Sequence, residues 1–200
     1  MTQSRLPAFD PATFTPDQQR AYDAIKSGPR GDVLGPLRVW LRSPEMAQKA
    51  QALGQYARYD SVLPMMLSEL AILVTGRVWS SGFEWAHHVP LALGAGVSQT
   101  VVDAIAHAKR PTLDDPKQTA VFDFCVELHR DRQVSDSTFA TAKSQLGEQA
   151  VVDLVAICGY YTLISMTINV FDVPTGDGPT LPVLTQPLSE WFRESWTHDQ

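Results

Sequence analysis

Cysteine is scarce in this chain: Cys125 and Cys158 are the only two, each inside an apolar stretch, FDFCVEL and VAICGYY. Two such residues build no disulfide framework, and without a C-x-x-C spacing they support neither metal nor redox chemistry. They read as small buried hydrophobes. A basic surplus is missing as well. With 16 Lys and Arg against 22 Asp and Glu the formal net charge is -6, which argues against a phosphate-backbone binder and makes nucleic acid an unexpected partner. No uninterrupted apolar run approaches the roughly 20 residues that span a bilayer. The opening MTQSRLPAFDPATF lacks a basic stretch followed by an apolar one. A cytoplasmic protein without a membrane partner is the expectation. Strand-like alternation, internal repeats and low-complexity blocks are also lacking, which leaves an all-α fold.

What is present is helical punctuation. At 200 residues and 44% hydrophobic content the chain suits one domain over residues 1–200. Thr15, Pro16 and Gln18 form a capping-box pattern that starts a helix running to about Lys26. The following SGPRGDVLGPLRVWLR is broken by glycine and proline and reads as an ordered loop with hydrophobic anchors. Ser43 with Pro44 and Glu45 starts a second helix that ends near Tyr59. MMLSELAILVTGRVWSS is apolar on nearly every face and predicts a central buried helix. GFEWAHHVPLALGAG predicts another, kinked at Pro90 and stopped at Gly94 and Gly96. Starts follow at Ser98, at Asp115 and Pro116, and at Ser135 or Asp136, with a stop at Gly147. EQAVVDLVAICGYYTLISMTINVFDV predicts a long apolar helix needing cover on several sides, which points to another subunit. The Gly- and Pro-rich tail after Pro174 is expected to wrap over the body or a neighbour, with Trp191 and Trp196 as anchors.

Chemistry concentrates in one stretch. Glu84 and His88 stand four residues apart, so a helix puts carboxylate and imidazole on one face, within proton-passing reach. Glu69 sits on the apolar helix before them, where an unpaired charge is costly, and is expected to share a polar pocket with His88. The spacing fits no metalloprotease motif, adjacent histidines point to different faces, and no metal is expected. His87 reads as a surface or supporting residue. Arg77 offers a planar fork for a substrate carboxylate, or neutralises Glu69 or a helix end. Tyr160, Tyr161 and Asn169 place polar tips on the long apolar helix, and Tyr161 and Asn169 are candidates for lining the pocket.

The run LSELAILV, then Trp79, then FEWAHHVPLALGAGVS resembles the signature of the carboxymuconolactone decarboxylase family, over about residues 30–174, with 175–200 as an extended tail. The resemblance implies an AhpD-like helical fold in an intertwined trimer or hexamer. The related peroxidase branch carries a Glu and then C-x-x-C-x-x-x-H. Laid on this chain, that pattern puts its Glu on Glu69, its cysteines on Ser81 and Glu84, and its His on His88. Both thiols are absent, so thiolate attack on an O–O bond is not expected. The resemblance then implies a cofactor-independent decarboxylase acting on a carboxymuconolactone-like compound of aromatic breakdown. In it His88 is the general acid, Glu84 orients the imidazole, Glu69 completes the relay, Arg77 or a backbone donor binds a carboxylate and Ser81 adds a hydrogen bond. An isomerase or tautomerase of hydroxymuconate-type diacids uses the same groups, and a noncatalytic ligand-binding homologue keeps the fold without them. The expected partner is a small unsaturated carboxylate or lactone.

Overall fold

In the computed structural model, residues 4–7 and 9–189 are described. Among them the chain forms nine α-helices and no strand. The helices are α1 (Pro16–Ser27), α2 (Pro36–Trp40), α3 (Pro44–Gln55), α4 (Met65–Val78), α5 (Gly82–Gly94), α6 (Gln99–Ala106), α7 (Pro116–Asp131), α8 (Asp136–Leu146) and α9 (Glu148–Phe171).

The capping box at Thr15 is formed in both directions, Gln18 N–H donating to Thr15 Oγ1 and Thr15 N–H to Gln18 Oε1. Ser98, Asp115 and Ser135 likewise accept first-turn N–H groups, so side-chain oxygens take the orphan donors that every helix start exposes. Ser43 stands before α3 without such a bond. Gly96, with φ 103, and not Gly94 supplies the left-handed turn after α5.

Two segments differ from the sequence reading. The Gly/Pro-rich loop contains the short helix α2, because Pro36 presets helical φ at its first position and Leu37, Trp40 and Leu41 give it a buried face. The second helix does not run evenly to Tyr59. After Gln55 it widens into a π-helical turn, Tyr56–Asp60, pinned to α9 by Asp153. That buried carboxylate accepts from Tyr56 Oη at 2.9 Å, Ser61 Oγ at 3.1 Å and the Val62 N–H at 3.0 Å.

Helix α4 is the axis of the molecule and packs mainly against α5, α7 and α9. It buries every residue from Leu67 to Arg77, which is why its pattern is apolar all round. Helix α9 is long and apolar enough to cross a membrane, yet 61% of its most apolar window is buried inside the fold, as befits a core helix. Cys125 of α7 and Cys158 of α9 are buried core residues whose sulfurs lie 3.5 Å apart. The tail does wrap the body: Thr175 lies on Gly82, Gly178 on Ala86, and Leu181 and Leu188 pack on the core. The expected anchors Trp191 and Trp196 lie outside the described residues.

Candidate active site

Helices α4 and α5 join through a tight turn in which Ser80 adopts φ 49, an uncommon backbone for a residue with a side chain. Arg77 braces that turn. Its Nη2 donates to Ser80 Oγ at 2.7 Å, and its Nη1 to the Ala106 carbonyl at 3.1 Å and the Pro182 carbonyl at 2.8 Å. The guanidinium thus ties the turn to the C-terminal carbonyl of α6 and to the tail. The carboxylate clamp read from the sequence is corrected here: all of these partners lie away from His88, and of the roles considered for Arg77 the helix-end one is realised.

The turn sets α5 alongside α4 so that three side chains meet. His88 Nδ1 lies 2.7 Å from Glu69 Oε2, and its Nε2 lies 3.2 Å from Glu84 Oε2, with all three residues buried. The Glu84 contact is close but out of line, so Oε2 has no hydrogen-bond donor among the described residues. Burial pushes the His88 imidazolium toward losing its proton. The Glu69 hydrogen bond and then Glu84 outweigh that, and the net shift is upward from 6.5.

His88 and Glu84 form the inner wall of a cavity of about 60 Å³, enough for several water molecules. Its other walls include Tyr160, Tyr161, Phe83, His87, Arg30 and Arg58. Tyr161 stands edge-on to His88, with ring centroids 5.0 Å apart, and its buried hydroxyl lacks a partner among the described residues. Burial and the nearby Glu84 charge push that phenol well above its usual range, so it stays a donor. Tyr160 is pushed to about 12 by burial, and its hydroxyl accepts from Arg30 Nη2 at 3.3 Å.

Of the two roles read from the sequence for His87, surface or supporting, its position beside His88 fits the supporting one. Its ring lies 5.0 Å from that of His88, stacks on Phe83 and lines the same cavity. Burial, then the adjacent His88 and Arg58, lower it to about 4, so it is neutral near pH 7 and its Nε2 accepts from Arg58 Nη2 at 3.3 Å. The two adjacent histidines are therefore shifted in opposite directions.

Tyr161 is the one expected lining residue that reaches the cavity. Ser81 is fully buried, with its hydroxyl unpartnered among the described residues, and is not part of the cavity wall. Asn169 is on the exposed side of α9, where its amide donates to the Trp79 carbonyl at 2.8 Å and fastens the end of α4. The two absences have different causes: the Asn169 amide is spent on the Trp79 carbonyl, whereas Ser81, on the same face of α5 as Glu84 and His88, is covered at the start of the helix. The sequence reading missed Arg30 and Arg58, one in a Gly/Pro-broken loop and one in the π turn, where no hydrophobic period marks a face.

Residues 44–127 match the carboxymuconolactone decarboxylase family. Two solved structures share the fold. One is described as an uncharacterized peroxidase-related protein with an alkylhydroperoxidase AhpD core, from Ralstonia eutropha JMP134. It superposes with a TM-score of 0.71 at 16% identity, over 87% of this chain and 93% of that one. The other, an uncharacterized peroxidase-related protein from Silicibacter sp. TM1040, gives 0.68 at 14% identity, over 86% and 93%. At such identities the likeness establishes the fold. No curated protein matches the chain in sequence. The stretch that holds Arg58, Glu69, Glu84 and His88 is thus the part of this chain that is similar to the carboxymuconolactone decarboxylase family, and it is carried on an AhpD-like helical fold.

Proposed function

We propose that the protein is a cofactor-independent acid/base enzyme that decarboxylates a carboxymuconolactone-like acid. The observation that carries this reading is the buried imidazole of His88 held between two carboxylates at the wall of a cavity. Loss of carbon dioxide from such a lactone leaves an electron pair that spreads through the adjacent double bond into the lactone carbonyl. The protein then has two tasks, to stabilise the enolate oxygen and to return a proton to carbon. His88, kept protonated by Glu69 and Glu84, donates the proton. The Tyr161 hydroxyl, unpartnered and facing the cavity, is the donor for the enolate oxygen. Glu69 fixes the tautomer and orientation of the ring from the far side.

Thiol chemistry has no support at this position. Ser81 and Glu84 stand where the peroxidase pattern has its cysteines, and Cys125 and Cys158 pair with each other in the core without lining the cavity. One observation favours a second reading. Glu84 Oε2 has no hydrogen-bond donor and lies beside the His88 imidazolium, which puts base and acid together as tautomerisation of a hydroxymuconate-type acid requires.

An ultraviolet assay against carboxymuconolactone and several hydroxymuconate acids, with carbon dioxide measured in parallel, tests both. His88→Ala and Glu84→Gln are each expected to lower the rate by at least about 10²-fold with the fold intact. Turnover with carbon dioxide release supports decarboxylation, and a spectral change without it supports isomerisation. Full activity in His88→Ala overturns acid/base catalysis by this residue.

A further inference from the structure

Arg77 is committed to backbone carbonyls, so a substrate carboxylate needs another cation. We infer that Arg30 and Arg58 form a carboxylate subsite at the mouth of the His88 cavity, and that the substrate is a compact organic acid bound through it. This rests on the acid/base reading for what happens at His88, but the subsite itself stands on separate observations.

Both guanidiniums line the cavity with Glu84 and His88. Both also approach the same ring: the Arg30 and Arg58 Cζ atoms lie 6.0 and 5.1 Å from the centroid of Tyr59. Two like charges gathered at one aromatic residue repel, and no carboxylate forms an ion pair with either among the described residues. Their contacts are instead neutral. Arg30 meets the Tyr160 hydroxyl and Arg58 meets the His87 ring nitrogen, and Arg30 Nε is buried without a partner among the described residues. Guanidinium forks with unspent donors, half-buried and close together, match the planar geometry of a carboxylate.

The surroundings hold them there. Asp153 pins the π turn that carries Arg58, and neutral His87 accepts from Arg58 without competing for an anion. Gly54 of α3 is so close to Tyr160 and Arg30 that a Cβ at that position would strike both. The cavity of about 60 Å³ admits a compact guest. With the carboxylate on this rim, the rest of the acid extends inward to His88 and Tyr161.

Calorimetric titration of the full chain with cis,cis-muconate and with its uncharged dimethyl ester tests the subsite without requiring turnover. The acid is expected to bind at least about tenfold more tightly than the ester. Arg30→Gln and Arg58→Gln should each weaken the acid by about tenfold or more and leave the ester unchanged. Arg58→Lys, which keeps charge but not the fork, should fall between, and Arg20→Gln on α1 should match wild type. Thermal melts confirm that the variants are folded. Equal affinity for acid and ester, no acid binding at millimolar concentration, or unchanged affinity in both glutamine variants overturns the subsite. The two readings fail separately. Arginine-dependent binding of muconate with no turnover on any acid keeps the subsite and removes the acid/base reading, whereas turnover indifferent to both arginines does the reverse.

Discussion

Replacing Gly35 by alanine tests whether the cavity wall is built as described. Gly35 precedes α2 with φ 48 and ψ -121, a region that a residue with a Cβ enters only under strain. Strain of this kind costs about 1–3 kcal/mol. The ring of Phe83, a wall of the cavity, lies where the new Cβ would go. Overpacking of that kind adds about 1–3 kcal/mol. The two costs act in the same direction and together amount to about 4 kcal/mol. For a chain of this size each kcal/mol moves Tm by about 2–4 °C, so Gly35→Ala is expected to lower Tm by about 8–16 °C in a calorimetric or circular-dichroism melt. A double-mutant cycle separates the terms. Adding Phe83→Leu removes the obstructing ring but not the backbone strain, so the pair should be less destabilised than the sum of the singles by about 1–3 kcal/mol. A fall in Tm below about 2 °C, or strict additivity of the two changes, would refute the reasoning.

Gly159 lies inside α9 with nothing near its absent Cβ, so Gly159→Ala should raise stability by about 0.5–1 kcal/mol, and a lower Tm would mean that this face is covered. Asp153→Ala leaves the Tyr56, Ser61 and Val62 donors without their acceptor and should cost about 2–4 kcal/mol in urea unfolding; a cost under about 1 kcal/mol would show that the π turn is held by something else. The adjacent histidines should limit stability from opposite sides. His87 is lowered to about 4 in the fold, so the unfolded chain binds its proton first and stability is lost as pH falls from about 6.5 toward 4. His88 is raised, so its contribution is present in full below 6.5 and is lost as pH rises through its folded value. Melts across this range should show both limbs, and His87→Gln should flatten the acid limb alone.

Helix starts were legible because their signals are local: the Thr15 box and the Ser98, Asp115 and Ser135 caps need only two to four neighbouring residues. The Glu69, Glu84 and His88 cluster was legible for two reasons. The i, i+4 spacing fixes a common face, and a carboxylate in the apolar run of α4 has to find a partner. Arg77 misled because its sequence context shows a cation near a helix end but not which carbonyls approach it from α6 and from Pro182, 29 and 105 residues away. Asn169 misled because α9 is apolar on nearly every face, so its pattern does not mark the cavity side. Arg30 and Arg58 were invisible for the complementary reason: a broken loop and a π turn have no period, and their convergence on Tyr59 exists only after α1 and α3 have packed.

Glu84 stands where the peroxidase pattern has a thiol, and that replacement changes what His88 can be. A neutral thiol near Nε2 adds no charge, whereas a carboxylate does. With Glu69 at Nδ1 and Glu84 at Nε2, one imidazolium faces two anions in a buried setting, and such an excess is costly unless positive charge stands close. Arg30 and Arg58 supply it from the same cavity. The four-residue spacing that makes His88 a strong proton holder therefore creates the need for a cationic rim. On the proposed reading these two arginines, set against the carboxylate of Asp32 in the same wall, would draw an arriving carboxylate. Under that same reading, acid chemistry at the inner wall and anion binding at the mouth are two consequences of one charge arrangement: without the arginines the inner carboxylates would repel the acid, and without Glu84 His88 would hold its proton less firmly.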